Sequence, residues 1–97
     1  MDYKTQLYGN NTSQTQTVGN TSAQSNAFDF GTKTRGKVRI ATTTHAHIVF
    51  GTNPTATEQN LLMPTDHIEV FDVRNGEKCA HIGHGAGSGE INFTIVD

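Results

Sequence analysis

The sequence predicts a small all-β protein: an antiparallel β-sandwich or barrel of about five or six strands over residues 38–97, preceded by an extended polar N-terminal arm over residues 1–37. Apolar residues are unevenly placed, because 4 of the Leu, Ile, Val and Phe residues fall in the first 37 positions and 16 in the remaining 60. In the second part they occur in short runs that alternate with polar residues between turn-forming residues, and no helical period is present.

The predicted arm is a polar tract with a few isolated apolar residues. Residues 5–26 are nearly all Thr, Gln, Asn, Ser and Gly, which cannot bury enough apolar surface to offset the entropy of ordering the chain. We therefore expect a strap that becomes ordered on a partner. Its expected anchors are the apolar residues at its two ends: Tyr3, Leu7, Tyr8, Phe28 and Phe30.

A basic ribbon joins the arm to the body. From residue 33 to residue 39 every second position is basic: Lys33, Arg35, Lys37 and Arg39. A strand points alternate side chains to one face, so these four side chains share a face, and Val38 and Ile40 take the other. The pattern fits either a partner contact or a solvated strand face.

The sequence pattern of the body predicts six short strands, at residues 38–43, 45–50, 61–63, 67–73, 78–82 and 90–96. In the second of them Ala46, Ile48 and Phe50 are predicted to face the core and His47 to face outward. Asn75-Gly76 lies between two extended runs and predicts a tight hairpin. The glycine-rich residues 83–89 predict a flexible hairpin loop before the last strand.

Charge and size restrict the functional classes. The net charge is −2, with +3 over residues 1–57 and −5 over residues 58–97. Such complementary ends favour contact between copies or with an acidic protein surface over nucleic acid, which normally binds a basic domain. No apolar run reaches the roughly 18 residues of a membrane helix, so no membrane partner is expected. A body of about 60 residues is marginally stable alone, which favours oligomerisation or docking on a larger assembly.

Metal binding and catalysis are the remaining alternatives. Four histidines are candidate metal ligands: His45, His47, His81 and His84. The His-x-His pair resembles the first cupin motif, but Ile48-Val49-Phe50 follows where that motif carries a Glu, so a cupin-like metal module stays an alternative and no cofactor is expected. The single Cys79 is predicted to be a packing residue, and no nucleophile, base and carboxylate are grouped, so we expect a non-enzyme.

Several phrases of the body resemble small virion structural proteins of tailed bacteriophages. They are the extended segment over residues 38–57 with its Phe-Gly-Thr-Asn-Pro-Thr-Ala ending, the Leu-Leu-Met-Pro turn at 61–64, the Glu-Val-Phe-Asp-Val strand at 69–73 and the Gly-Glu-Lys turn at 76–78. The resemblance covers roughly residues 38–97 and leaves the arm unmatched.

This resemblance implies a capsid decoration or cement protein that binds the major capsid protein and stabilises the head. We therefore expect a homo-oligomer, for which a trimer is one option, located on the capsid surface of the virion after synthesis in the host cytoplasm. In this interpretation the arm anchors and the basic ribbon contact the capsid. A neck, tail or fibre-base component of the virion is the alternative within the same class.

Overall fold

Eight β-strands make up the regular structure of residues 13–85 and 88–96, the residues that the computed structural model describes. Their bounds are β1 Ser13–Val18, β2 Ala23–Gln24, β3 Arg35–Thr42, β4 Ala46–Gly51, β5 Leu61–Met63, β6 Ile68–Arg74, β7 Lys78–Gly83 and β8 Gly89–Ile95. No helix occurs in these ranges, and hence none that could span a membrane. The predicted all-β class is confirmed.

The strands form two antiparallel four-stranded sheets. In the first sheet, sheet A, the order is β1-β8-β3-β6, and in the second, sheet B, it is β2-β7-β4-β5. The chain changes sheet at every connection except β4 to β5, so the two layers are interlocked. Apolar residues from both inner faces form one core, which includes Val38, Ile40, Ile48, Ile91 and Phe93.

All six strands predicted for the body are present, as β3 to β8. Alternation of polar and apolar residues explains why they form. In β3 the side chains of Val38 and Ile40 are fully buried, while Arg35 and Lys37 are exposed. The register keeps apolar faces together, since Ile40 lies opposite Phe93 on β8 and Val38 lies opposite Phe71 on β6. A slip of one residue would turn the apolar set to solvent, so burial fixes this register.

The turn at Asn75-Gly76 exists, but the hairpin predicted from it is wrong. The N–H of Glu77 donates to the carbonyl of Arg74 at 3.1 Å, yet β6 lies in sheet A and β7 in sheet B. Gly76 has a φ of +89°, and Asn75 keeps a negative φ. That combination is a type II turn, whereas a tight two-residue hairpin needs a type I′ or II′ turn. The link over residues 84–88 likewise joins different sheets and closes no hairpin.

The predicted boundary between arm and body at residues 37 and 38 also needs correction. Ser13–Val18 pairs with β8 along its whole length, and Ala23–Gln24 pairs with β7. Polar side chains hold this segment because they hydrogen-bond across the sandwich: Gln16 Oε1 accepts from His81 Nε2 at 2.6 Å, and Gln16 Nε2 donates to the carbonyl of Gln24 at 3.0 Å. The folded unit therefore begins no later than residue 13.

Phe28 and Phe30 belong to the core and are not accessible anchors for a partner. Their exposed fractions are 1% and 9%, and the Phe28 ring packs against Phe93 at 5.8 Å between centroids. Gly36 is what admits Phe30, because a Cβ at position 36 would lie 2.1 Å from the Phe30 ring. The remaining predicted anchors, Tyr3, Leu7 and Tyr8, lie outside the described residues.

Candidate functional site

The outer face of sheet B is covered by the protein's own chain. The connection from β4 to β5, residues 52–60, crosses it: Gln24 Nε2 donates to the carbonyl of Pro54 at 2.7 Å, and the carbonyl of Asn60 lies 2.9 Å from His47 Nδ1. Ala56 in this connection is only 2% exposed. No described residue covers the outer face of sheet A in this way, and its side chains on β3 and β6 are exposed or half-buried, so within the described part of the chain it is the larger surface open to a partner.

The basic ribbon lies on this open face. Arg35 and Lys37 are exposed and Arg39 is partly exposed, while the residues between them, Gly36 and Val38, are buried. Lys33 is exposed just before the strand begins. The predicted one-sided arrangement is therefore present for Arg35, Lys37 and Arg39, whereas Lys33 lies in the turn before the strand. Rigid pairing of β3 with β6 and β8 on either side fixes the spacing of these side chains.

Cross-strand neighbours on β6 complete the surface. Lys37 Nζ lies 2.8 Å from Asp72 Oδ1, and this contact, followed by the smaller effect of Arg35, lowers the pKa of the Asp72 carboxyl. Arg35 lies opposite Arg74 on β6. The sequence analysis does not include Arg74 in the basic surface, because residue 74 follows the predicted strand and borders the predicted turn. Only the register between β3 and β6 could have identified it.

Arg35 and Arg74 form a like-charged cross-strand pair, which opposes sheet pairing. They line a shallow depression of about 290 Å³ together with Thr34. Among the described residues, neither guanidinium forms an ion pair. This end of sheet A therefore presents positive charge that the described fold leaves unneutralised, and it suits a carboxylate-rich partner.

Three of the four candidate histidines lie close together: the ring centroids of His45 and His47 are 6.3 and 5.1 Å from that of His84. The fourth does not join them. His81 points into the core, where it is fully buried, while His47 lies on the outer side of sheet B under residues 52–60. His47 lies on the outer side of sheet B, as predicted, but its side chain is only 5% exposed and does not reach solvent. His45 is exposed and accepts the N–H of Thr65 at Nδ1.

His47 and His84 make one direct contact, between His47 Nε2 and His84 Nδ1 at 2.9 Å. Because a carbonyl can only accept, His47 Nδ1 carries the proton shared with Asn60, and neutral His47 therefore accepts from His84. A hydrogen bond of this kind occupies the nitrogens that a metal would need. Within residues 13–85 and 88–96 no three His, Cys, Asp or Glu side chains are grouped as metal ligands would be.

The glycine-rich loop and Cys79 also belong to the scaffold. The N–H of Gly85 donates to Glu58 Oε2 at 3.0 Å, so this part of the glycine-rich loop binds a carboxylate of its own chain. Cys79 is fully buried, and desolvation raises the pKa of its thiol to about 12. A thiol in that state is a poor nucleophile.

Comparison with known proteins returned no match of the chain to a protein-family model, a curated protein or a solved structure.

Proposed function

We propose that this protein is a non-enzymatic structural component of a tailed-bacteriophage virion, a capsid decoration protein that binds the major capsid protein and stabilises the head. The observation that carries the proposal is the basic ribbon of Arg35, Lys37 and Arg39 on the uncovered face of a rigid sheet. The likeness of residues 38–97 to small virion structural proteins supplies the context. In this role the protein acts on the capsid surface after synthesis in the host cytoplasm.

Stabilisation follows from mass action. A protein that binds the assembled shell, and not its dissociated subunits, lowers the free energy of the shell by an amount that grows with the logarithm of its concentration over the Kd. An oligomer that engages several capsid subunits at once gains further through effective concentration. No chemical step is needed, and the required feature is a rigid surface of fixed charge.

The binding surface is tested by charge reversal. Arg35→Glu combined with Arg39→Glu changes two side chains of the ribbon without touching the core, and we expect it to lower affinity for empty capsids at least about tenfold at low salt. Lys78→Glu, on sheet B, is the matched control and should bind like the parent chain. Affinity of the parent chain should also fall as salt rises. Equal binding by all three proteins would refute the proposed surface.

A truncation that tests the arm has to end before residue 13, where the described fold begins. Deleting residues 1–30 would remove β1, β2 and the core residue Phe28, so it would test folding rather than binding. Deleting residues 1–12 removes Tyr3, Leu7 and Tyr8 and leaves every described strand in place. We expect this shorter deletion to reduce capsid binding while far-UV circular dichroism stays unchanged, and undiminished binding would remove the arm from the proposal.

A further inference from the structure

Exposed apolar side chains are concentrated on one side of the sandwich. Among the described residues, four large apolar side chains are substantially exposed: Leu61 (54%), Leu62 (41%), Ile68 (53%) and Val70 (50%). All four lie on β5 and β6, the terminal strands of the two sheets on the same side, joined by a short link over residues 64–67. The opposite side carries β1 and β2, which consist mainly of Ser, Thr and Gln.

Strand β6 is a long edge strand. It has seven residues and, among the described strands, pairs only with β3, whereas the edge strands of sheet B, β2 and β5, have two and three residues. Of the features that commonly keep edges from pairing, β6 lacks short length, Pro and Lys, and it carries one inward-facing charge, Glu69. On the outer face Val70 lines a depression of about 390 Å³ with Arg39, Thr94 and Val96. An uncovered edge beside an apolar depression is suited to another strand.

We propose that β6 pairs antiparallel with β6 of a second copy, about a two-fold axis at Val70, so that the two copies of sheet A form one eight-stranded sheet. In this register Val70 lies opposite Val70 of the other copy, and Ile68 lies opposite Asp72 and diagonal to Val70 of the other copy, so four apolar side chains form one row on the outer face. Arg74 of each copy falls beside Asp66 of the other.

Charge complementarity selects the second copy as occupant and Val70 as the centre. The start of β6 is acidic, with Asp66 and Glu69, and its last residue is Arg74, next to Arg35, while Asp72 in the second half is already paired with Lys37. An antiparallel two-fold arrangement places the acidic end of each copy on the basic end of the other. It also gives Arg74 a carboxylate, which offsets the repulsion from Arg35.

Neighbouring registers are worse. A centre at position 69 sets Ile68 against Val70, but it also sets Glu69 against Glu69 and Asp66 against Asp72, and a centre at position 72 sets Asp72 against Asp72. A centre at position 71 places Val70 against Asp72 and Ile68 against Arg74, which separates the apolar residues. The centre at position 70 keeps Ile68 and Val70 adjacent, sets Arg74 against Asp66 and places no like charges directly opposite each other.

The dimer would carry two basic ribbons on the same face. The two β3 strands are separated by β6 and its copy, which at the usual spacing of strands places the ribbons about 14 Å apart. This consequence rests on the proposed function, since it predicts bivalent capsid binding. The pairing of β6 itself does not depend on it.

Cysteine cross-linking tests the register directly. Val70→Cys places two thiols opposite each other at the axis, within the Cα distances that a disulfide tolerates. Ile68→Cys, of nearly equal exposure, is the control, because its two copies are four residues out of register. We expect mild oxidation to give a covalent dimer of V70C and not of I68C, and native Cys79 is too buried to compete. Cross-linking of both variants at equal rates, or of neither, would overturn the proposal.

Sedimentation of the purified full chain gives an independent measurement. The parent chain should show a monomer–dimer equilibrium, and Val70→Lys should raise the dimer Kd at least about tenfold, because it sets two Lys side chains opposite each other at the axis. Thr15→Lys, on the outer face of the polar edge strand β1, should leave it unchanged. A parent chain that stays monomeric at every concentration, or an oligomer insensitive to V70K, would refute the pairing of β6. Capsid binding is measured separately, so failure of the proposed function and failure of this dimer are distinguishable.

Discussion

Stability in weak acid should depend on one core histidine. His81 is fully buried between the sheets, against the ring of Phe93 at 5.9 Å between centroids. Because Gln16 Nε2 donates to the carbonyl of Gln24, its Oε1 faces His81, and His81 therefore holds its proton on Nε2. Nδ1 is buried without a hydrogen-bond partner among the described residues. Protonation at Nδ1 would place an unpaired charge in the core.

The sign of the pH effect follows from this burial. Desolvation lowers the pKa of His81 from its ordinary value of 6.5, so below that pH the unfolded chain binds a proton that the folded chain does not. Stability is fully present above pH 6.5 and is lost as the pH falls toward the folded pKa. The slope is at most about 1.4 kcal/mol per pH unit, so between pH 6.5 and pH 5 the loss is at most about 2 kcal/mol.

Urea unfolding followed by far-UV circular dichroism measures this loss, since the chain has no Trp for fluorescence. The variant is His81→Gln, which does not titrate and can still donate to Gln16. We expect the free energy of unfolding of the parent chain to fall between pH 7.5 and pH 5 by more than that of H81Q. His67→Gln, which changes a half-buried histidine that contacts Glu69 outside the core, is the control and should keep the parental difference. An identical pH dependence in H81Q and the parent chain would refute the assignment.

Three further predictions concern packing. Gly36→Ala should lower the free energy of unfolding by about 1–3 kcal/mol in urea titrations, because the added Cβ meets the Phe30 ring, whereas Gly19→Ala, with no atom near its Cβ, should not lower it. Phe28→Ala should cost about 3–5 kcal/mol, and a cost below 1 kcal/mol would contradict its place in the core. Cys79 should resist alkylation in the folded protein and react on unfolding, as mass spectrometry would show; rapid labelling of the folded chain would contradict its burial.

Local alternation was enough to predict the strands of the body but not their partners. Residues such as Val38, Ile40 and Phe93 repeat every second position, and burial of one face leaves a strand no other register. The basic ribbon was predictable for the same reason. Which sheet each strand joins depends on contacts between residues far apart in sequence. The Asn75-Gly76 turn shows that a local signal can predict a turn without predicting which strands pair. Its sequence favours a tight turn, but the turn carries the chain from one sheet to the other.

The composition of residues 13–37 does not reveal that this segment is part of the folded unit. A tract of Ser, Gln and Thr looks disordered because its side chains bury little apolar surface. Here Gln16 acts through hydrogen bonds to His81 and Gln24, partners that only the assembled sandwich supplies. Phe28 and Phe30 looked isolated for the same reason, since the residues that surround them come from strands elsewhere in the chain. No local pattern encodes such partners.

The two outer faces of the sandwich explain why both proposals fall on sheet A. On sheet B, residues 52–60 bind Gln24 and the His47 ring, so a partner would have to displace the protein's own chain. On sheet A the basic ribbon is open, and the β6 edge beside it has unused backbone hydrogen-bonding groups in the described fold. Edge pairing would enlarge the open face without covering the ribbon. One surface can therefore serve self-association and partner binding together. Because Val70 lies opposite Arg39, V70K should impair the first while adding a positive charge beside the ribbon.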